Sequence, residues 1–366
     1  VSYLDNLSKL VTFVPNKSQP IHNWFYFKEA YSPQLVKWAI KEFKLKGPIL
    51  DPFCGTGTTL LTAKEMRIES AGTDVSPLAV LVSKAKTHNY NLDDLRENFN
   101  WLKEYSGEFK GKRPDNRLRR LYRKENLDSV LNLKHAISEI KDNTADLFML
   151  ALIDTNNRVS NVVKQGRSLR KQKKGILPVK KLFLGKCESM ISDLEQNKAW
   201  LKNPEPVVVE ADARNADYAK EDFGCVITSP PYLNKVEYTQ VYKLELGMFF
   251  RAQETRLRAF VGDETPDIKS GTEPAIISAY FNDMEKVIKN ISTALEKNGK
   301  AVIVVAGGCF PDRAVQSDDR IIQIAEQNGF VKRKCITARC INCFGVKSKE
   351  AKVRESIIVL QKKRDI

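Results

Sequence analysis

Asp51-Pro52-Phe53-Cys54-Gly55-Thr56-Gly57-Thr58-Thr59, preceded by Ile49-Leu50, reads as a short buried strand that ends in a glycine-rich turn and opens a helix. Gly55 and Gly57 permit a tight turn and a close approach of ligand to backbone. Thr58 and Thr59 are expected to cap the helix, whose first amides favour a carboxylate or phosphate. Working outward, Thr58 to Arg67 has helical spacing, Ala71-Gly72-Thr73-Asp74 is a second short strand closed by an acid, and Pro77 to Lys86 is helical again. Upstream, Ser32-Pro33 is a helix start, with Ser as N-cap and Pro at the first helical position. An apolar stripe of Leu35, Val36, Trp38, Ala39, Ile40 and Phe43 follows, and Gly47-Pro48 breaks it. Strand and helix alternate, which predicts an α/β fold with a doubly wound, mostly parallel sheet.

The rhythm stops at residue 91 and resumes near 205. Later strands are expected at Pro206–Glu210, Cys225–Thr228, Ala301–Val305 and Ser356–Leu360, with helices over Tyr280–Glu296 and Arg320–Asn328. Residues 91–204 are charged and mostly helical in pattern, and read as a basic insertion between two halves of the sheet. The expected division is therefore 1–90, the first half with the glycine-rich turn, 91–204, the insertion, and 205–366, the second half. Two basic clusters fall in the insertion. One holds Lys110, Lys112, Arg113, Arg117, Arg119, Arg120, Arg123 and Lys124; the other holds Lys164, Arg167, Arg170, Lys171, Lys173 and Lys174.

The 366 residues carry 60 Lys and Arg against 45 Asp and Glu, a net charge of +15. That balance points to a polyanionic partner, nucleic acid before a membrane surface. At 42% hydrophobic residues a sizeable core is affordable. No apolar run approaches the roughly 20 residues of a membrane span, and Val1-Ser2-Tyr3-Leu4-Asp5 lacks a signal pattern; a soluble, cytoplasmic protein with no membrane partner is expected. The seven cysteines are odd in number and scattered, which argues against a disulfide framework. Cys340-Ile341-Asn342-Cys343 lacks the further ligands of a zinc site, so no metal is expected and the cysteines read as small buried thiols.

Three acids close successive strands: Asp51, Asp74 and Asp212. An acid about 20 residues after a glycine-rich turn suits a ribose hydroxyl pair, and Asp74 follows Asp51 by 23. Asp212 is placed to accept from an adenine amino group, and Asp51 to lie near a cationic ligand centre. A dinucleotide or S-adenosylmethionine fits such a pocket. The dinucleotide fingerprint wants a third glycine three residues after the second; Leu60 stands there, which counts against NAD.

Far downstream, Thr228-Ser229-Pro230-Pro231-Tyr232 reads as a strand end followed by a rigid loop. A nucleobase amino group is a poor nucleophile, because its lone pair is delocalised into the ring. Acceptors around its N–H bonds, here the Ser229 hydroxyl and the Pro230 carbonyl, favour a pyramidal nitrogen; Tyr232 is suited to stacking on the base. Such a site works by orientation and electrostatics. Tyr238 and Tyr242, four residues apart, are either further walls of that pocket or core aromatics.

With these two motifs the chain resembles the S-adenosylmethionine-dependent amino-methyltransferases of nucleic acids. The resemblance covers Asp51–Thr59, Ser229–Tyr232 and an upstream segment, Phe27-Lys28-Glu29-Ala30-Tyr31-Ser32-Pro33. It implies a Rossmann-like sheet of the class I methyltransferase type, with S-adenosyl-L-methionine as cofactor. It implies cofactor contacts from Phe27, Ser32, Asp51, Phe53, Cys54, Gly55, Gly57, Thr58, Asp74 and Asp212, and catalysis by Ser229, Pro230, Pro231 and Tyr232. Serine in first place is more typical of cytosine-N4 enzymes, aspartate or asparagine of adenine-N6 enzymes. The insertion would then be the target-recognition segment, with Lys164, Arg167, Arg170 and Lys171 against phosphates. Methylation of cytosine N4 in DNA is the expectation. The same chemistry on RNA, or on adenine N6 of DNA, remains open, as does the oligomeric state.

Overall fold

Seven strands form the main sheet: Ile49–Asp51 (β1), Ser70–Asp74 (β2), Val207–Glu210 (β3), Phe223–Thr228 (β4), Leu295–Ala306 (β5), Phe330–Asn342 (β6) and Lys352–Lys362 (β7). Their order is β6-β7-β5-β4-β1-β2-β3. The computed structural model describes residues 3–27, 29–165, 168–218, 222–234, 241–250, 275–310, 313–343 and 352–363. Strands β5, β4, β1, β2 and β3 run parallel; β7 pairs antiparallel with β5, and β6 antiparallel with β7, so β7 alone of the seven is reversed. This is a Rossmann-like, doubly wound, mostly parallel α/β sheet.

The central strands are short and apolar because helices cover both faces. All three residues of β1 and all six of β4 are buried. Side chains alternate between two cores, as the period of two requires. Cys225, Ile227, Val302 and Val304 join the cluster that contains Leu35, Val36 and Ala39 of helix Pro33–Glu42. Val226, Ile303 and Val305 join the one that contains Tyr280, Met284 and Ile288 of helix Ala275–Ala294. Each such aliphatic side chain contributes about 1.5–3 kcal/mol on burial.

Between β2 and β3 the chain leaves the sheet. Helices Lys124–Glu139, Thr144–Val159 and Val179–Gln196 build a third cluster. That cluster also takes in Leu61, Leu78, Val82 and Ala85 from helices Thr58–Glu65 and Pro77–Thr87 of the first half. The inserted helices thus share a core with the sheet's own helices.

Three features differ from the sequence-based expectations. A hairpin, Val162–Gln165 paired with Ser168–Lys171, stands in the second basic cluster. Strand β6, with its run Val331-Lys332-Arg333-Lys334, was not predicted; it is a half-solvated sheet edge, which tolerates charge. The cysteines are not all small buried thiols: Cys309 and Cys343 are bonded, while Cys335 and Cys340 are exposed.

Ser32 is wholly buried, and its hydroxyl accepts from the Leu35 amide at 3.2 Å as the N-cap of helix Pro33–Glu42. Ser32→Ala is expected to lower stability by about 1 kcal/mol, measured by urea unfolding; an unchanged midpoint would remove the cap from the account.

Candidate active site

The strand order reverses between β1 and β4, since β2 and β3 lie on one side and β5 on the other. In an open α/β sheet the crevice outside the carboxyl ends at such a switch point is the ligand site. β1 and β4 pair in parallel through Ile49↔Cys225 and Leu50↔Val226. Their carboxyl ends carry Asp51 and Thr228, and these touch: the Thr228 hydroxyl donates to Asp51 Oδ1 at 2.6 Å. The glycine-rich turn and the Ser229–Tyr232 loop therefore leave neighbouring strands at one edge of the sheet.

Asp51 is 2% exposed and densely bonded. Oδ1 also accepts from the Phe53 amide at 3.2 Å, and Oδ2 from the Tyr31 hydroxyl at 3.3 Å. Tyr31 is 2.5 Å from Thr59 Oγ1. Burial raises the Asp51 pKa from 3.8 to about 6, against the lowering effect of these hydrogen bonds. Asp74 is half-buried; its carboxylate accepts from the Gly55 amide at 3.0 Å and the Ser76 amide at 2.9 Å. Burial also raises it to about 6.

The turn is shaped by its glycines. Gly57 has φ +77°, and a Cβ there would lie 2.5 Å from Ser83 Oγ. Gly55 has φ +51°, and the nearest atom to a Cβ there would be Cε1 of Phe27 at 3.7 Å. The Phe27 ring thus bounds the space over the turn. Phe27 stacks on Tyr242 at 5.2 Å with 14° between the planes, and the Tyr242 hydroxyl donates to Glu29 at 3.1 Å. Of the two alternatives for Tyr242, the structure shows a buried core aromatic behind Phe27, whereas Tyr238 lies outside the described residues. Cys54 is buried, and burial pushes its thiol well above the ordinary range.

Several expected contacts have other employment. Ser32 is spent on its helix. Thr58 does not cap; Gly57 is the N-cap, without a side-chain bond, and the Thr58 hydroxyl accepts from Asn16 at 3.4 Å. Thr59 faces Tyr31 rather than the helix end. Asp212 is clasped by Arg214, whose Nε lies 3.1 and 3.0 Å from its two oxygens and whose Nη2 donates to Oδ2 at 2.6 Å. Burial works against ionisation of Asp212, but hydrogen bonds from Arg214 prevail and hold it below the ordinary range.

The Ser229 hydroxyl is 3.4 Å from the Tyr232 hydroxyl, which donates to Glu355 Oε1 at 2.7 Å. Pro230 is buried and Pro231 half-buried, as a fixed loop requires. Sequence reasoning missed four residues here: Tyr31, Thr228, Tyr218, whose hydroxyl is 2.7 Å from Thr73 Oγ1, and Glu355. Tyr31 and Thr228 lie inside the quoted motifs, so strand-end adjacency was the available signal. Tyr218 and Glu355 carry none.

In the insertion, Arg123 Nε donates to the Lys174 carbonyl at 2.7 Å, bringing the two basic clusters side by side. Arg170 and Lys171 are exposed. Arg113 and Lys124 pair with Asp128. Arg167 and the side chain of Lys164 lie outside the described residues. Among the described residues no cluster of metal ligands occurs and no helix is long and apolar enough to cross a membrane.

No family model matches the chain. Curated relatives do. The type II methyltransferase M.BsoBI of Geobacillus stearothermophilus is 33% identical over 289 residues, 68% of this chain and 56% of that protein. M.AvaI of Nostoc sp. is 26% identical over 270 residues, covering 66% and 56%; M.MvaI of Kocuria varians is 27% identical over 292 residues, covering 71% and 63%. The chain is similar to type II methyltransferases. It spans little more than half the length of the first of these relatives. A solved S-adenosylmethionine-dependent methyltransferase from Methanosarcina mazei aligns with 89% of this chain and 98% of its own at 9% identity and a TM-score of 0.35, too distant to carry an argument.

A carboxyl whose pKa is higher folded than unfolded adds stability below its unfolded pKa and loses it as pH rises through the folded one. For Asp51 that window runs from 3.8 to about 6. Unfolding free energy of the ligand-free protein is expected to fall across it, and Asp51→Asn to flatten the fall; equal slopes for both proteins, by denaturant titration at each pH, would show otherwise.

Proposed function

We propose that this chain binds S-adenosyl-L-methionine and methylates the exocyclic N4 amino group of cytosine in DNA. The observation that carries the proposal is the Asp51–Thr228 hydrogen bond, which puts the ends of the cofactor-type turn and of the Ser229–Tyr232 loop in contact at one sheet edge. The relatives' names and the fold support methyl transfer. The net charge of +15 and the adjoining basic clusters support a nucleic-acid substrate. Serine at position 229 supports cytosine N4.

The residues present fit the cofactor in most respects. A buried carboxyl, Asp51, and a half-buried one, Asp74, both raised to about 6, are sites where a cation is welcome, because its charge offsets what burial costs them. Asp51 is assigned to the cationic centre, Asp74 to the ribose hydroxyls, and Phe27, Phe53, Cys54, Gly55 and Gly57 to the methionine side. Asp212 fits less well, since both its oxygens already meet Arg214; the adenine role needs Arg214 to give way. When bound, the cofactor supplies an activated methyl group on a sulfonium. The protein's own part is orientation: Ser229 and the Pro230 carbonyl accept the amino hydrogens, and Tyr232 holds the base plane. The base would have to leave the duplex to reach them. The insertion, with Arg170 and Lys171, is assigned to phosphate contact.

Tritiated cofactor, with matched DNA and RNA as substrates and digestion to nucleosides, tests this directly. Labelled N4-methyldeoxycytidine is expected; label in N6-methyldeoxyadenosine or only in ribonucleosides would overturn the assignment. A second measurement addresses Asp51. Affinity for S-adenosylmethionine is expected to rise several-fold from pH 5 to 7, as Asp51 loses its proton, and affinity for S-adenosylhomocysteine, which lacks the sulfonium charge, to rise less. Parallel curves by calorimetry would place Asp51 away from the sulfonium.

A further inference from the structure

Glu355 lies on β7 with Ser356, Ile357 and Ile358 immediately after it, and is 1% exposed. A carboxylate in such a place is costly unless its oxygens are matched by donors. Both are matched. Oε1 accepts from the Tyr232 hydroxyl at 2.7 Å, and Oε2 accepts from Nε of Arg339 on β6.

The Arg339 contact depends on an irregularity. Along β6 the register runs from Thr337↔Ser356 directly to Arg339↔Glu355, so Ala338 is an extra residue without a partner. In a regular ladder Ala338 would oppose Glu355, and Arg339 would oppose Arg354, a like-charge pair. The bulge instead turns a cation onto the buried acid that accepts from Tyr232. Bulges beside active sites commonly re-aim a side chain in this way.

The contact also sets what Tyr232 offers. With its hydroxyl directed to Glu355, the ring is tethered at both ends, by its backbone on a proline-stiffened loop and by its phenol on β7. Ser229 shares the arrangement, 3.4 Å from the same hydroxyl.

We propose that Glu355 is a positioning residue, which, paired to Arg339, fixes the face that Tyr232 presents to the nucleobase. This rests on the reading of Tyr232 as the base-stacking residue. The hydroxyl of Tyr232 then serves the protein rather than the substrate.

The test uses the full chain and three variants: Tyr232→Phe, Glu355→Gln and the double. Glutamine keeps the shape of glutamate but loses its charge and turns one acceptor into a donor, so the charge-assisted acceptance from Arg339 and from the Tyr232 hydroxyl is replaced by neutral contacts in which the phenol no longer donates. Single-turnover methyl transfer to DNA is expected to fall about 10- to 100-fold in each single variant. Calorimetric affinity for S-adenosylhomocysteine is expected to stay within twofold. The double variant is expected to be no slower than the slower single, because both changes break one tether. Losses that multiply, an unchanged rate in Glu355→Gln, or a loss of cofactor affinity matching the loss of rate would overturn the inference. Should Glu355→Gln fail to fold, Arg339→Gln replaces it in the same cycle, since Arg339 is partly exposed and the tether still loses its cation. Wild-type protein that transfers no methyl group to any nucleic acid defeats the proposed function, and the inference with it; active wild type with independent losses defeats the inference alone.

Discussion

A hydrogen bond between two buried side chains, Thr228 and Asp51, ties together strands that are 177 residues apart in the chain. It follows from the sheet order, in which β1 and β4 are neighbours although the chain visits β2, the inserted helices and β3 between them. A carboxylate at that depth is tolerable only because hydroxyls and an amide surround it: Thr228, Tyr31 and Phe53 each donate. These bonds join the ends of the two motif strands, and burial leaves Asp51 with its pKa raised to about 6 in spite of them. Asp74 repeats the pattern one strand away.

The same demand for partners explains which residues the site keeps for the fold. Polar groups withdrawn from water seek the nearest donor or acceptor. Ser32 finds a helix amide, Thr58 finds Asn16, and Asp212 finds Arg214. These groups stand at positions suited to a ligand, yet their hydrogen bonds are committed within the protein. Tyr232 is the instructive case, since its ring and its hydroxyl have separate work. The ring belongs to the loop that follows β4, while the hydroxyl reaches across to β7.

Much of the fold was legible along the chain. The alternation of Ile49-Leu50, the helix from Thr58, Ala71–Asp74 and the helix from Pro77 is local, and each element carries its own signal: a glycine turn, a proline at a helix start, a short strand closed by an acid. β6 escaped because Lys332, Arg333 and Lys334 obscure its strand character, and only an edge position makes such charges harmless. The hairpin Val162–Lys171 escaped because its residues are those of a charged loop. The Cys309–Cys343 bond escaped because it depends on where two distant segments end, which spacing does not reveal.

Taken by itself, the sequence determined the α/β class, the two motif loops and the acids at three strand ends, because backbone period, turn chemistry and strand-end position are properties of short stretches. The tertiary structure alone decided who meets whom. Asp51 bonds Thr228, Phe27 stacks on Tyr242 over Gly55, Arg214 clasps Asp212, and a one-residue bulge at Ala338 turns Arg339 onto Glu355. Those contacts depend on the order of strands and on their register, and both are set by the packing of the whole sheet between its helices.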